Sequence, residues 1–355
     1  CKKYNLKWII FISLLVSGTI NFIVGISKSF ILVECLWLLN GFSMSILWPS
    51  LIRVLSENLG EKDMARASVI MGTTVAVGTF VIYALSALLV KLNFKLSFYL
   101  PAGIFIIVAF LWLCLFTSTT QRVRDKQEEN KIIENTVNQK VAVNKHIWIL
   151  SIAMLAFYGV ATNLIKDGLT TWVPSILKEQ YELDDSFSII LTLALPGVAV
   201  FGNILAVNMH KRIPDYVFHA ATLFLCSGII IGGVIAGLSL NQFWLTLIGF
   251  TIVCLLVSSS NSLITSIFPL FMKGKVNSGR IAGILNGFCY LGSTISSYGL
   301  GEIADNFGWA TVFWVLLAAC GAVCIGALIY FFVSKKLRFY NKCWGQEKKA
   351  STFFI

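Results

Sequence analysis

The chain is 355 residues long, 57% hydrophobic and 13% charged, where a globular domain carries about 25% charged residues. A mean hydropathy of +0.80 excludes a soluble domain, a disordered segment and a disulfide-rich secreted scaffold, and leaves a membrane protein with many spans. The net charge of +11 does not point to nucleic acid, because the 28 Lys and Arg fall in short gaps between apolar runs and not on one face of a folded domain.

A membrane span needs about 20 apolar residues. In chain order the runs that qualify are 8–26, 31–52, 67–90, 96–116, 147–165 with a continuation to 177, 187–209, 216–240, 243–272, 281–301 and 309–333, ten in all. Orientation follows from the basic residues. With the N-terminus in the cytoplasm, the inner segments hold 23 of them, from Lys2 and Lys3 to the tail after Lys335. The outer side holds Lys28, Lys91, Lys95 and Lys178, and Lys166 lies inside a span. An all-α membrane protein with ten helices and both termini in the cytoplasm is the expectation.

One long polar gap interrupts the series. Residues 118–146 have no apolar run and carry six basic and four acidic side chains, which reads as a cytoplasmic linker. Residues 1–117 then form a bundle of four helices, 147–334 a bundle of six, and 335–355 a cytoplasmic tail. The imbalance, with Cys1 in place of a Met, leads us to expect that two helices are missing from the front.

The nine cysteines sit singly, with no Cys-x-x-Cys pair, and read as small apolar membrane residues. No metal-ligand cluster, phosphate loop or nucleophile motif is present, so neither an enzyme nor a bound metal or cofactor is expected. His146, His210 and His219 fall at or near cytoplasmic helix ends. Trp8, Trp148, Trp244 and Trp309 sit at span ends and read as interfacial anchors. Gly228-x-x-x-Gly232, Gly233-x-x-x-Gly237 and Gly283-x-x-x-Gly287 read as packing contacts within the protein.

The informative residues are the polar ones inside spans, where an ionisable side chain costs about 3 kcal/mol at the bilayer centre. The fifth span carries Tyr158, Thr162, Asn163, Lys166, Asp167, Thr170 and Trp172. Lys166 lies about 19 residues beyond the cytoplasmic start of that span, toward its outer half. Gly168 and Pro174 predict a bent or locally unwound helix there. Lys166 reads in two ways: it snorkels to the outer headgroups with Asp167 as a surface partner, or it faces a central cavity and binds an anionic substrate. The second is the reading adopted, with Asp167 as the partner of Lys166 or another base when substrate is absent. Asn261 in the eighth span follows a run of serines, and Asn286, Tyr290, Ser293 and Ser297 form a stripe at helical spacing in the ninth. These stripes read equally as cavity lining or as interhelical hydrogen bonding.

Three stretches resemble the major facilitator superfamily, and within it the organophosphate:phosphate antiporters. They are Lys166-Asp-Gly-Leu-Thr-Thr-Trp172-Val-Pro174 with Leu177-Lys-Glu179; Ala282-Gly283 to Gly287 and Tyr290-Leu-Gly292, closing on Asp305-Asn-Phe-Gly308-Trp309; and Asn40-Gly41 with Trp48-Pro49 and Arg53. The likeness spans the family's third to twelfth helix, so it implies a fold of twelve helices of which ten are present. It also implies a secondary transporter whose two bundles rock about a central site. The family holds substrate phosphate between two arginines, one from the first helix of each half. Lys166 falls where the second-half arginine stands, and lysine keeps the charge but not the bidentate fork. The first-half arginine would lie on an absent helix, and the stretch 68–79 has no ionisable residue where the family places a histidine. His210-Lys211-Arg212 stands at the family's basic loop signature, and Lys2 and Lys3 look like its remnant at the front.

The resemblance implies exchange of a sugar phosphate or glycerol phosphate for inorganic phosphate across a bacterial plasma membrane, by a monomer that needs no nucleic-acid partner and no cofactor. Lys166 is the expected anion contact, with Tyr158, Asn261, Asn286 and Tyr290 orienting the substrate. A proton-coupled transporter of another solute and a transporter-like sensor of sugar phosphate are the alternative readings. Lacking two walls of its first bundle, this chain is not expected to catalyse exchange as it stands.

Overall fold

The structure is a computed structural model, and it describes residues 6–59, 61–134, 145–272 and 278–351. Every regular element among these is a helix: α1 (Leu6–Ile26), α2 (Phe30–Ser45), α3 (Leu47–Asn58), α4 (Glu61–Leu92), α5 (Leu96–Glu134), α6 (Lys145–Tyr181), α7 (Asp185–Thr192), α8 (Ala194–Arg212), α9 (Tyr216–Ser239), α10 (Phe243–Ser262), α11 (Phe268–Phe271), α12 (Ser278–Thr294), α13 (Leu300–Phe307) and α14 (Trp309–Ser351). Single π-helical turns, Leu263–Ile267 and Ile295–Gly299, join α10 to α11 and α12 to α13. Of the expected linker, 118–134 continues α5, and 135–144 lie outside the described residues, as do Lys2, Lys3, Lys273 and Lys275.

Eight helical runs among the described residues are long and apolar enough to cross a membrane. The predicted third and ninth spans coincide with α4 and with α12–α13. Within α4 the apolar stretch Arg66–Ile82 is shorter than a span. In α12–α13, Asn286, Tyr290 and the many Ser and Gly dilute the hydropathy.

Two predicted spans are each divided in two, and proline explains where. A proline has no N–H to give the carbonyl four residues before it. Pro49 therefore leaves the Ser45 carbonyl without a helical donor, and α2 ends at Ser45. Pro196 does the same to Thr192, and α7 ends there, Leu193 standing between it and α8. The expected local unwinding of the fifth span is not observed. The helix α6 runs unbroken through Gly168 and Pro174, and Gly168 serves close packing, as described below.

The chain divides into two compact units, one of residues 1–139 with 265–284, the other of 140–264 with 285–355. In the first, α1 and α5 pack antiparallel. Gly18 lies against Ala102, Phe105 and Ile106, and Gly25 against Tyr99, whose hydroxyl donates to the Gly25 carbonyl at 3.2 Å. The Trp112 indole donates to the Lys7 carbonyl at 3.1 Å. Ile10, Leu14 and Ala109 form one core, and Ile52, Met64, Leu270 and Ala282 form another. Beside the second core, Pro269 cannot donate to the Thr265 carbonyl, and the Trp48 indole does so instead at 3.2 Å. Trp48→Phe keeps the aromatic bulk and removes that bond. It is expected to cost about 0.5–1.5 kcal/mol, read as a lower thermal midpoint of the solubilised protein; an unchanged midpoint would show that the bond carries nothing.

In the second unit, α10 lies against α6, α8 and α9, and α14 against α6 and α9. Of the three predicted Gly-x-x-x-Gly pairs, one glycine of each touches a neighbour: Gly228 at Cys320, Gly237 at Thr246 and Gly283 at Pro49, whereas Gly232, Gly233 and Gly287 are open. At the outer end predicted for α6, Trp309 is more than an anchor. Its indole donates to Glu179 at 2.7 Å and its ring packs on Trp172, tying α14 to α6.

Candidate functional site

The candidate site is built on α6. Thr162 and Thr170 donate their hydroxyls to the carbonyls of Tyr158 and Lys166, at 2.7 and 3.0 Å, and so are satisfied within the helix. Lys166 and Asp167 are not. Neighbours on a helix point about 100° apart, but the four-carbon stem of Lys166 swings across and brings Nζ to 3.1 Å from Asp167 Oδ1. Their side chains are 21% and 28% exposed. The pair is therefore partly desolvated, where an ion pair is screened less than at a surface.

The second carboxylate oxygen is held from another helix. Ser293 on α12 donates its hydroxyl to Asp167 Oδ2 in a short hydrogen bond, and Asn163 Nδ2 donates to the same Ser293 oxygen at 3.1 Å. Asn163 lies one turn before Asp167 and is buried, and its Oδ1 has no partner. Lys166, Asp167, Ser293 and Asn163 thus form one polar chain that crosses from α6 to α12.

Glycines let the two helices approach closely enough for this chain to close. A Cβ on Gly292 would strike the Val160 carbonyl, and one on Gly168 would lie 2.7 Å from a Leu300 methyl. Gly159 opposes Cys289, and Gly301 opposes the Trp172 ring. Gly159 and Gly168 on α6, and Gly292 on α12 with Gly301 on α13, thus form two pairs nine residues apart along one seam. The π-helical turn Ile295–Gly299 sits in this seam, just past Ser293. Its Ser296 carbonyl accepts from the Trp172 indole at 3.2 Å. Helical irregularities of this kind recur at functional sites.

The other predicted site residues are placed variously. Asn286 and Tyr290 lie on α12, two turns and one turn before Ser293 on its face, and Tyr290 is 58% exposed. Asn261 follows Ser260 on α10, and Ser260 shares a 3.3 Å hydrogen bond with Thr162, one turn before Lys166. Tyr158 stands apart: it is fully buried against Phe224 of α9 and Gly326 of α14, and its hydroxyl has no partner. Ser293 and Asn163 were legible as polar residues inside spans but not as a clamp on Asp167. The usable signal was the spacing of Asn163 and Asp167, four apart on one face. Among the described residues, no group of three or more His, Cys, Asp or Glu stands close enough to hold a metal ion.

The sequence pattern of the Major Facilitator Superfamily matches residues 1–297. The chain belongs to that superfamily. It is accordingly a multi-pass membrane protein and a transporter, not an enzyme. A probable hexose phosphate transport protein of Chlamydia muridarum is 21% identical over 360 residues, covering 92% of this chain and 76% of the relative. The human sugar phosphate exchanger 3 is 21% identical, over 92% of this chain and 75% of its own. The glycerol-3-phosphate transporter of Bacillus subtilis is 21% identical, over 90% and 75%. Among solved structures, the proton:xylose symporter XylE superposes with a TM-score of 0.62 at 9% identity, over 89% of this chain and 78% of the symporter. That likeness establishes a major facilitator fold.

Proposed function

We propose that the chain is the greater part of a twelve-helix secondary transporter of the organophosphate branch. On this reading ten spans are present here and both termini are cytoplasmic, in a plasma membrane. The protein carries a sugar phosphate or glycerol phosphate in exchange for inorganic phosphate by alternating access. Lys166 is the anion contact, Asn286, Tyr290 and Asn261 orient the organic part, and Tyr158 supports α6 from behind. The observation that carries this reading is a lysine inside a span, half-buried and ion-paired with its own neighbour Asp167. An intramembrane charge with a resident counterion is a site that an external anion can compete for. The relatives named for hexose phosphate, sugar phosphate and glycerol-3-phosphate support the substrate class.

The test is competition at equilibrium. Inorganic phosphate, glycerol 3-phosphate and glucose 6-phosphate are each expected to raise the thermal midpoint of the solubilised chain, following the logarithm of ligand concentration. They are expected to displace one another, whereas glycerol and glucose do nothing. Stabilisation by the uncharged sugars at similar concentrations would refute an anion site.

A further inference from the structure

We infer that the end of the second unit formed by the α8–α9 turn and the close of the apolar part of α14 binds an anionic phospholipid, its headgroup against Lys211, Arg212, Lys335 and Lys336 and its chains along α14. The inference stands apart from Lys166 and does not depend on the substrate. Three apolar runs meet the membrane surface here: Ile190–Arg212 ends, Tyr216–Ser239 begins and Trp309–Lys336 ends. The four cations therefore lie at the depth of lipid headgroups, and all four are exposed.

Packing brings them to one place. The Tyr330 hydroxyl donates to Asp215 Oδ2 at 3.4 Å, and the Phe218 ring packs edge-on against those of Tyr330 and Phe331. Lys211 and Arg212 stand four and three residues before Asp215. Lys335 and Lys336 stand five and six residues after Tyr330, about 8–9 Å along the helix. The turn between α8 and α9 is clasped by His210, whose ring stacks on those of Tyr216 and His219, with centroids 4.4 and 5.8 Å away. The charges are thus presented from packed elements, which lowers the cost of ordering them around a ligand.

No carboxylate neutralises them. Asp215 is the only acidic residue between Asp185 and Glu302, and there is none between Asp305 and Glu347. Asp215 is itself committed: Oδ1 accepts the backbone N–H groups of Val217 and Phe218 and caps α9, and Oδ2 accepts from Tyr330. Among the described residues no ion pair engages any of the four cations. After Lys336 the sequence adds Arg338, Lys342, Lys348 and Lys349 against Glu347 alone. Four to eight basic residues just past a span attract anionic lipid, at about 1 kcal/mol for each charge near the surface.

The apolar neighbours select a lipid over a soluble anion. Phe331 and Phe332 are exposed, and each lies one turn before a lysine on the same face, Lys335 and Lys336. Leu328, also exposed, extends the second line by a further turn into the span. Leu328, Phe332 and Lys336 thus run from aliphatic to aromatic to cationic toward the membrane surface, the order in which a phospholipid changes from chain to phosphate. A nucleic acid or an acidic protein meets only the last of the three.

The experiment is native mass spectrometry of the solubilised full chain with phosphatidylglycerol and phosphatidylcholine of matched acyl chains. The phosphatidylglycerol adduct is expected to be the tighter and to weaken as salt is raised. Lys335→Gln with Lys336→Gln, and separately Lys211→Gln with Arg212→Gln, are expected to weaken it about fivefold for each charge removed. The two pairs are independent tests, so one decides if the other does not fold. Lys28→Gln with Lys95→Gln removes two charges from the first unit and is expected to leave the adduct unchanged. Phe332→Ala is expected to weaken it without altering its salt dependence. Equal retention of the two lipids overturns the inference, and so does a loss that the Lys28 and Lys95 control shares. Displacement by millimolar inorganic phosphate would mark a site for free anions and overturns it too. Lys166→Gln is expected to keep the adduct; its loss there would merge this surface with the Lys166 site and sink the proposal of a separate one.

Discussion

Lys166→Gln is expected to abolish measurable phosphate binding. The substitution keeps the length and polarity of the side chain and removes the charge. Truncating one partner of a buried charged pair costs about 2–5 kcal/mol, and 1.4 kcal/mol is tenfold in affinity, so the dissociation constant is expected to rise roughly thirtyfold or more. Lys166→Arg retains the charge and adds a fork suited to phosphate, and should bind. Lys166→Gln also leaves Asp167 without its cation, so part of any loss can come from a weakened fold. The double variant Lys166→Gln with Asp167→Asn removes both charges together and is expected to recover the thermal midpoint while still failing to bind. Phosphate affinity in Lys166→Gln equal to that of the unaltered chain would place the anion contact elsewhere.

The second large effect is expected at a residue with no side chain. Gly292→Ala puts a methyl group into the Val160 carbonyl on α6. A backbone oxygen cannot turn aside as the end of a side chain can, so α6 and α12 must separate. Overpacking of this kind typically costs about 1–3 kcal/mol. The separation also draws Ser293, the next residue, away from Asp167 and Asn163. Gly292→Ala is therefore expected to lower the thermal midpoint and to weaken phosphate binding together. Gly287→Ala on the same helix meets nothing within 4 Å and is the matched control, expected to be neutral in both. Equal midpoints for the two variants would show that the seam yields without cost.

How much of this was legible in the sequence depended on whether the signal was local. Apolar length marked eight runs that the structure also shows as long enough to span, and Lys166 stood out because a charge in such a run needs a reason. The divisions at Ser45 and at Thr192 were legible too, because Pro49 and Pro196 each stand four residues further on, but hydropathy averages over such breaks. Gly168 was misread. On one helix alone a glycine looks like flexibility, and only the presence of Leu300 and Ser296 across the gap shows that it makes room. The same limit hid Ser293. Its bond to Asp167 joins residues 126 apart in the chain, and no spacing rule within one helix reaches that far. Tyr158 was counted with the polar residues of the fifth span; its ring turns to Phe224 and Gly326.

The glycine seam has a consequence for descent. Four positions, Gly159, Gly168, Gly292 and Gly301, each meet a neighbouring atom where a Cβ would go, so drift at any of them is met by a steric penalty. They hold the register of α6 against α12 and α13, and with it the alignment of Lys166, Asp167 and Ser293. Asn286 and Tyr290 lie on the same helix but outside that lock. On the proposed function, a lineage that changes its cargo can exchange these two side chains while the seam holds the ion pair in place, and new cargoes are expected to share the anionic group and differ in what is attached to it.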